Sequence, residues 1–228
     1  MSGEDRRAVV RTAAAIGIAT GTYGISFGVL SVAAGLTVAQ TCAMSLLVFT
    51  GASQFAAVGV LGAGGSAAAA IAPALLLAGR NALYGLSLVP VLRGRIGSRA
   101  LQSQLVIDES TAMARAQDGP AAARFAFLAT GISVFVCWNA GTALGALAGT
   151  GLASPSALGL DAMFPAAFLA LLAPQLRRPG APAAAIAGAV IATVLVPVTA
   201  AGVPILASAL GVVAGLAVRH RSLRRARP

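Results

Sequence analysis

Charge is what this sequence has least of. Only 10% of its 228 residues are Asp, Glu, Lys or Arg, where soluble globular domains carry about 25%. With 58% hydrophobic residues, that scarcity excludes an ordinary soluble domain. Lysine is absent: all sixteen basic residues are arginines. The one histidine, His220, stands in the C-terminal tail, so an intramembrane enzyme would find no imidazole in the apolar segments to serve as base or ligand. The two cysteines, Cys42 and Cys137, lie far apart inside apolar segments without Cys-x-x-Cys spacing. They read as small buried apolar residues rather than a redox pair or metal ligands. No Walker A motif, metal-ligand cluster or redox motif occurs in the sequence, so no metal, cofactor or enzymatic activity is expected.

The net charge of +10 invites a nucleic-acid partner, and the placement of the arginines argues against one. They cluster in the tails and between apolar segments, which is the pattern that orients a chain in a membrane and not one that displays a basic groove. Uncharged runs such as 21–41 and 125–160 exceed what a soluble core element needs, since a helical span takes about 20 apolar residues. The period-2 alternation of a membrane barrel is missing. The expected fold is therefore an all-α polytopic membrane protein of about 6–7 transmembrane helices, some broken or re-entrant. Residues 1–11 are charged and precede an apolar run, as in a signal peptide, but the run is too long for a signal core and is kept as the first span.

Seven apolar segments follow in order. The first, 12–36, carries Gly17, Gly21, Gly24 and Gly28, a stripe on one helix face that suits close backbone packing. The second, 42–61, places Thr50, Gly51, Ser53 and Gln54 in the middle of a membrane-length stretch. Hydroxyls and an amide at that depth need partners, and irregular backbone is tolerable there only in protein or along a cavity, so these four residues are candidate substrate ligands. The third segment, 67–92, holds Arg80, Asn81 and Tyr84 near its centre. A guanidinium at that depth costs at least about 2.5–3.5 kcal/mol, so it needs a partner, as a substrate ligand or in a structural ion pair or cap. Tyr84 shares its face.

Residues 93–124 are polar and rich in arginine, which predicts a cytoplasmic loop with a short amphipathic helix. Asp108 and Glu109 within it read as a solvated face or an arginine partner rather than a site. The remaining segments are 125–149, with Trp138, Asn139 and a second glycine seam; one from about 160 to the Arg177-Arg178 turn, with Asp161 and Pro165 near its start; 182–199; and 203–218. The tail 219–228 is arginine-rich and expected in the cytoplasm.

If both the N-terminal arginines and the central loop face the cytoplasm, three full spans cannot separate them. One of the first three segments must then be re-entrant or broken, or the N-terminus lies outside. Ala19-Thr-Gly21 recurs as Ala129-Thr-Gly131, and Gln54-Phe-Ala-Ala57 is echoed by Met163-Phe-Pro-Ala-Ala167. Alanine-rich segments match easily by chance. Taken as a repeat, the echo relates 12–92 to 125–199 within a single transmembrane domain, with Gln54 and Asp161 in corresponding interrupted elements, where transporters bind their cargo.

Gly51-Ala-Ser-Gln-Phe55, Arg80-Asn-Ala-Leu-Tyr-Gly85, Asp108-Glu109, Trp138 with Gly141 and Gly145, and Leu160-Asp161 with Pro165 together resemble the AzlC family of branched-chain amino acid permeases. The resemblance implies export of branched-chain or other apolar amino acids across the cytoplasmic membrane, together with a small multi-span partner of the AzlD type. The chain departs from the family pattern at Ala78, where Asn or Asp is usual, and at Asn81, where histidine is frequent. If that histidine carries protons elsewhere in the family, the amide of Asn81 does not replace it in that role.

These residues suggest a secondary transporter with a mid-membrane site. Helix N-termini at a break near Gly51, or Arg80, would receive the substrate carboxylate. Gln54, unwound carbonyls or Asp161 would receive the ammonium, and Phe49, Phe55 and Phe164 would wall the side chain. Asp161 is the only acidic residue placed in apolar sequence, hence the candidate for proton coupling, with a helix N-cap as its alternative. Two other classes stay open: a non-catalytic scaffold subunit in the membrane, whose glycine seams would serve a heteromeric interface, and a transporter or channel for another small solute.

Overall fold

The computed structural model describes residues 1–151, 169, 172–173 and 175–225. Among them all regular structure is helical: α1 (Gly3–Ala33), α2 (Val38–Val48), α3 (Gly51–Gly62), α4 (Ala67–Ser87), α5 (Ile96–Ser103), α6 (Asp108–Arg115), α7 (Pro120–Thr150), α8 (Ala181–Leu195), α9 (Val203–Ser208) and α10 (Gly211–Arg225). Helices α1, α4 and α7 and the stretch Val203–Ser222 are long and apolar enough to cross a membrane. The expected polytopic all-α architecture is present. Asp161, Phe164 and Pro165 lie outside the described residues.

Local signals set the helix starts. Ser2 and Asp5 exchange backbone and side-chain hydrogen bonds in a capping box, so α1 begins nine residues before the expected span. Thr37 and Gln40 do the same for α2, and the Ser66 hydroxyl caps α4. A side-chain oxygen at such a position satisfies an amide that the first helical turn would leave without an acceptor.

The core of the bundle is the pairing of α1 with α7. Gly17 lies on Ser133, Gly21 on Cys137, Gly28 on Thr142 and Gly149 on Val29. The numbers rise together, so the two helices run parallel. At Gly24, Gly28, Gly141 and Gly145 a Cβ would collide with the backbone of the facing helix. Both glycine stripes are therefore one seam, in which close approach supplies the dispersion contacts that lipid-like surroundings otherwise withhold.

The second apolar segment is the broken one. It is a hairpin of two short helices, α2 and α3, that meet at Phe49 and Thr50. Helix α2 leaves the end of the bundle where α1 stops, and its Ser45 hydroxyl donates to Thr142 Oγ1 at 3.2 Å. Beyond the tip, Gly51 abuts Trp138, and the Phe55 ring meets Phe27 edge-on at 5.6 Å and Trp138 at 6.2 Å. Helix α4 starts where α3 ends and runs to Leu88 and Val91, which pack beside Phe127 near the start of α7, so α3 climbs back towards the end from which α2 came.

The hairpin therefore enters and leaves on the same side, and α1 and α7 begin together at the other. There the Arg6 guanidinium stacks on Phe125 at 5.4 Å. Of the two ways to reconcile the arginines with the span count, the re-entrant one is realised.

Helix α4 then crosses to the face where α1 and α7 begin, and Leu88 and Val91 just beyond it pack with Ala123 and Phe127. The C-terminal helices form an antiparallel pair. Gly211 sits on Ala184 and Gly188, and Gly180 on Gly215, while the turn at Gly202 packs on Ala69 at the opposite face. Arg177, Arg178 and the arginines of α10 thus share one face with Arg6, Arg7 and Arg11.

Segment 93–124 is polar, as expected, but it is folded onto the bundle. Val106 and Ala114 pack beneath Phe127, and Ile107 joins the aromatic cluster of Phe27 and Trp138. Arg124 donates to Val91 O and Gln102 Oε1, both at 2.9 Å.

Candidate functional site

The break in the hairpin is built by one residue in an uncommon conformation. Phe49 has φ +32° and ψ +50°, the only positive φ at a non-glycine residue among the described residues. A left-handed phenylalanine costs about 1 kcal/mol or more unless packing enforces it. Here the ring is 4% exposed and sits edge-on to Phe135 at 4.9 Å.

The two helix ends at the break are treated differently. The last carbonyls of α2 accept from a side chain distant in sequence: Gln104 Nε2 donates to Leu46 O at 2.9 Å and to Leu47 O at 3.2 Å. The start of α3 has no such cap. Its N-cap residue, Thr50, makes no side-chain capping bond. The amides of Ser53 and Gln54 turn back onto Thr50 O, and those of Gly51 and Ala52 meet no backbone acceptor among the described residues.

Polar side chains around this end also stand without partners. Thr50 Oγ1, Ser53 Oγ, Gln54 Oε1 and, from α4, Asn81 Oδ1 are buried and make no hydrogen bond among the described residues. Ser53 is 1% exposed and Gln54 is fully buried. Gln54 is held by one long bond from its Nε2 to Met44 O. A buried hydroxyl or amide left unmatched costs about 1–3 kcal/mol, and a cluster of them marks a place where the fold does not supply its own partner.

A cavity of about 310 Å³ opens on this tip, lined by Val48, Phe49, Thr50, Asn81, Gly85 and Gln104 among others. Its walls thus come from the hairpin, from α4 and from the folded 93–124 segment. Against Gly51, Trp138, 6% exposed, is stacked on Phe27 at 6.0 Å.

Of the residues singled out in the sequence, Thr50, Gly51, Ser53, Gln54 and Asn81 come together at the break. Arg80 and Tyr84 are engaged elsewhere. Arg80 Nη1 pairs with Asp108 Oδ2 at 3.0 Å, both side chains about two-fifths exposed, and Tyr84 lies beside the same carboxylate. Asp108 is thus the arginine partner that the sequence allowed it to be.

Glu109, its neighbour in the first turn of α6, was read with it as a solvated face or an arginine partner, and the structure instead draws it inward. Burial first, and then the charge of Asp108, hold its carboxyl above the ordinary value, with Arg80 pulling against them. Nothing in a polar, arginine-rich segment announces that its apolar Val106 and Ile107 would draw this carboxylate inward. Gln104 was likewise invisible, since its capping role depends on a helix end 57 residues away.

The pattern that defines the AzlC protein family matches residues 15–152, from the glycine stripe of α1 to the end of α7. No curated protein and no solved structure matches the chain.

Proposed function

The chain belongs to the AzlC family, a membrane transport family, and from that premise we propose that it exports branched-chain or other apolar amino acids across the cytoplasmic membrane. The observation that carries this reading is the broken hairpin. Thr50 at its tip and Asn81 of α4, both with unpartnered polar atoms, line a cavity inside an otherwise apolar bundle, and the unpartnered Ser53 and Gln54 follow Thr50 closely in the chain. This is the arrangement by which membrane transporters hold polar cargo at mid-depth. The apolar walls at Val48, Phe49 and Leu92 suit an aliphatic side chain. Each buried CH₂ contributes about 0.8 kcal/mol, so valine is favoured over alanine only about tenfold and the range of substrates is broad.

The sequence offers no nucleotide-hydrolysing motif, so transport runs on a gradient. Asp161 carries the coupling proton in this reading, with Glu109 as the second acidic candidate. The face shared by the two termini, the 93–124 segment and Arg177-Arg178 is the cytoplasmic one, by its arginine content. A small membrane protein of the AzlD type completes the transporter.

The test is efflux of labelled valine from preloaded cells expressing the chain with and without such a partner, beside Arg80→Ala and Asp161→Asn variants. Faster efflux with the wild-type pair, lost in a variant that still inserts, supports the reading. If no small amino acid moves under any pairing, the chain is a scaffold or carries another solute.

A further inference from the structure

We propose that the start of α3, and not Arg80, is the seat of the substrate's carboxylate. The identity of the substrate as an amino acid rests on the export reading; the anion seat itself rests on four observations. Helix α3 begins inside the bundle, and among the described residues its Gly51 and Ala52 amides have no backbone acceptor. Such an end carries the equivalent of about half a positive charge. The opposite, electronegative end of the same break is already satisfied by Gln104, so the fold has closed one side and left the other open. The Ser53 hydroxyl, 1% exposed and without a partner, occupies the third helical position, and helical side chains lean back towards the N-terminus. That lean carries it towards Thr50, whose hydroxyl is also unpartnered and belongs to a residue that lines the cavity.

Arg80 is the obvious competitor, standing next in the chain to Asn81 of the cavity wall. It is neutralised by Asp108 at 3.0 Å. A carboxylate taking that place would strand Asp108 beside Glu109 without its cation. The α3 seat offers two amides and two hydroxyls but no full positive charge, which suits a monoanion with an apolar body and not a phosphate. Asn81 also lines the cavity, and its Oδ1 is an acceptor without a donor among the described residues. With the carboxylate on α3, the ammonium of an α-amino acid lies towards α4.

Equilibrium binding to the purified full chain in lipid nanodiscs tests this with three probes: valine, isovalerate, which keeps only the carboxylate, and valinol, which lacks it. Valine and isovalerate should bind, and valinol should bind roughly tenfold to hundredfold more weakly than valine, the range expected for hydrogen bonds to a charged group.

Ala52→Pro removes one seat amide at a helical position that tolerates proline, and Ser53→Ala removes a hydroxyl. Each should weaken valine and isovalerate about tenfold and leave valinol unchanged. The Arg80→Ala, Asp108→Ala double variant should keep the preference for carboxylates. The proposal is overturned if valinol binds as well as valine, if neither carboxylate binds, or if the double variant loses the preference while Ser53→Ala retains it. Binding of isovalerate without valine would leave the seat standing and remove the amino acid from the export reading.

Discussion

Gly51 stands where a side chain would press on Trp138: a Cβ there falls 3.1 Å from Cη2 of the indole. The ring cannot retreat easily, because Phe27 and Phe55 hold it from two directions. Gly51→Ala should therefore cost about 1–3 kcal/mol, the usual penalty for overpacking. In a Trp138→Phe background, where the outer indole atoms are gone, the cost should fall below about 1 kcal/mol. Denaturant unfolding of the four proteins in detergent measures both values. An equal cost in the two backgrounds would mean that the glycine serves backbone freedom rather than the approach of the ring.

At the scale of the element, α6 is the piece whose behaviour departs most from its composition. Glu109 is held above its ordinary value chiefly by burial, so the folded chain binds that proton more tightly than the unfolded chain does. The stability this contributes is complete below the ordinary carboxylate value and is lost as pH rises through the raised one. Glu109→Gln cannot titrate. Its melting temperature should match the wild type in acid and exceed it near neutrality; curves that stay parallel across the range would place Glu109 in solvent.

The sequence disclosed α4 and α7 to within five residues and all of α1 but its first nine, because long uncharged runs bounded by arginines have few alternatives in a membrane. It also marked Thr50–Gln54 as irregular, because polar groups at that depth need a reason. The direction of the hairpin was not legible: a stretch of twenty apolar residues reads alike whether it crosses or turns back, and the choice is made by contacts with α7. Nor was the engagement of Arg80 by Asp108 fixed, since pairing across 28 residues depends on how the intervening chain folds.

For the whole molecule, the parallel seam and the re-entrant hairpin together demand that residues 3 and 100 face one compartment and residue 63 the other. Cysteines placed at Gly3, Ala100 and Ala63, all exposed, in a chain with Cys42 and Cys137 replaced by alanine, test this with a membrane-impermeant maleimide. In intact cells Ala63→Cys alone should react, and all three should react after lysis. Labelling of Gly3→Cys together with Ala63→Cys would remove the hairpin from the topology.

The hairpin has a further consequence, for the order of events during synthesis. Its anchors on α7, Ser45 on Thr142 and Gly51 against Trp138, leave the ribosome some ninety residues after it does. Until then residues 38–62 are an apolar segment of spanning length with nothing to hold them in a turn, and the insertion machinery meets a candidate crossing helix. The nascent chain settles its final topology only when α7 arrives beside α1, so maturation of this protein waits on its second half.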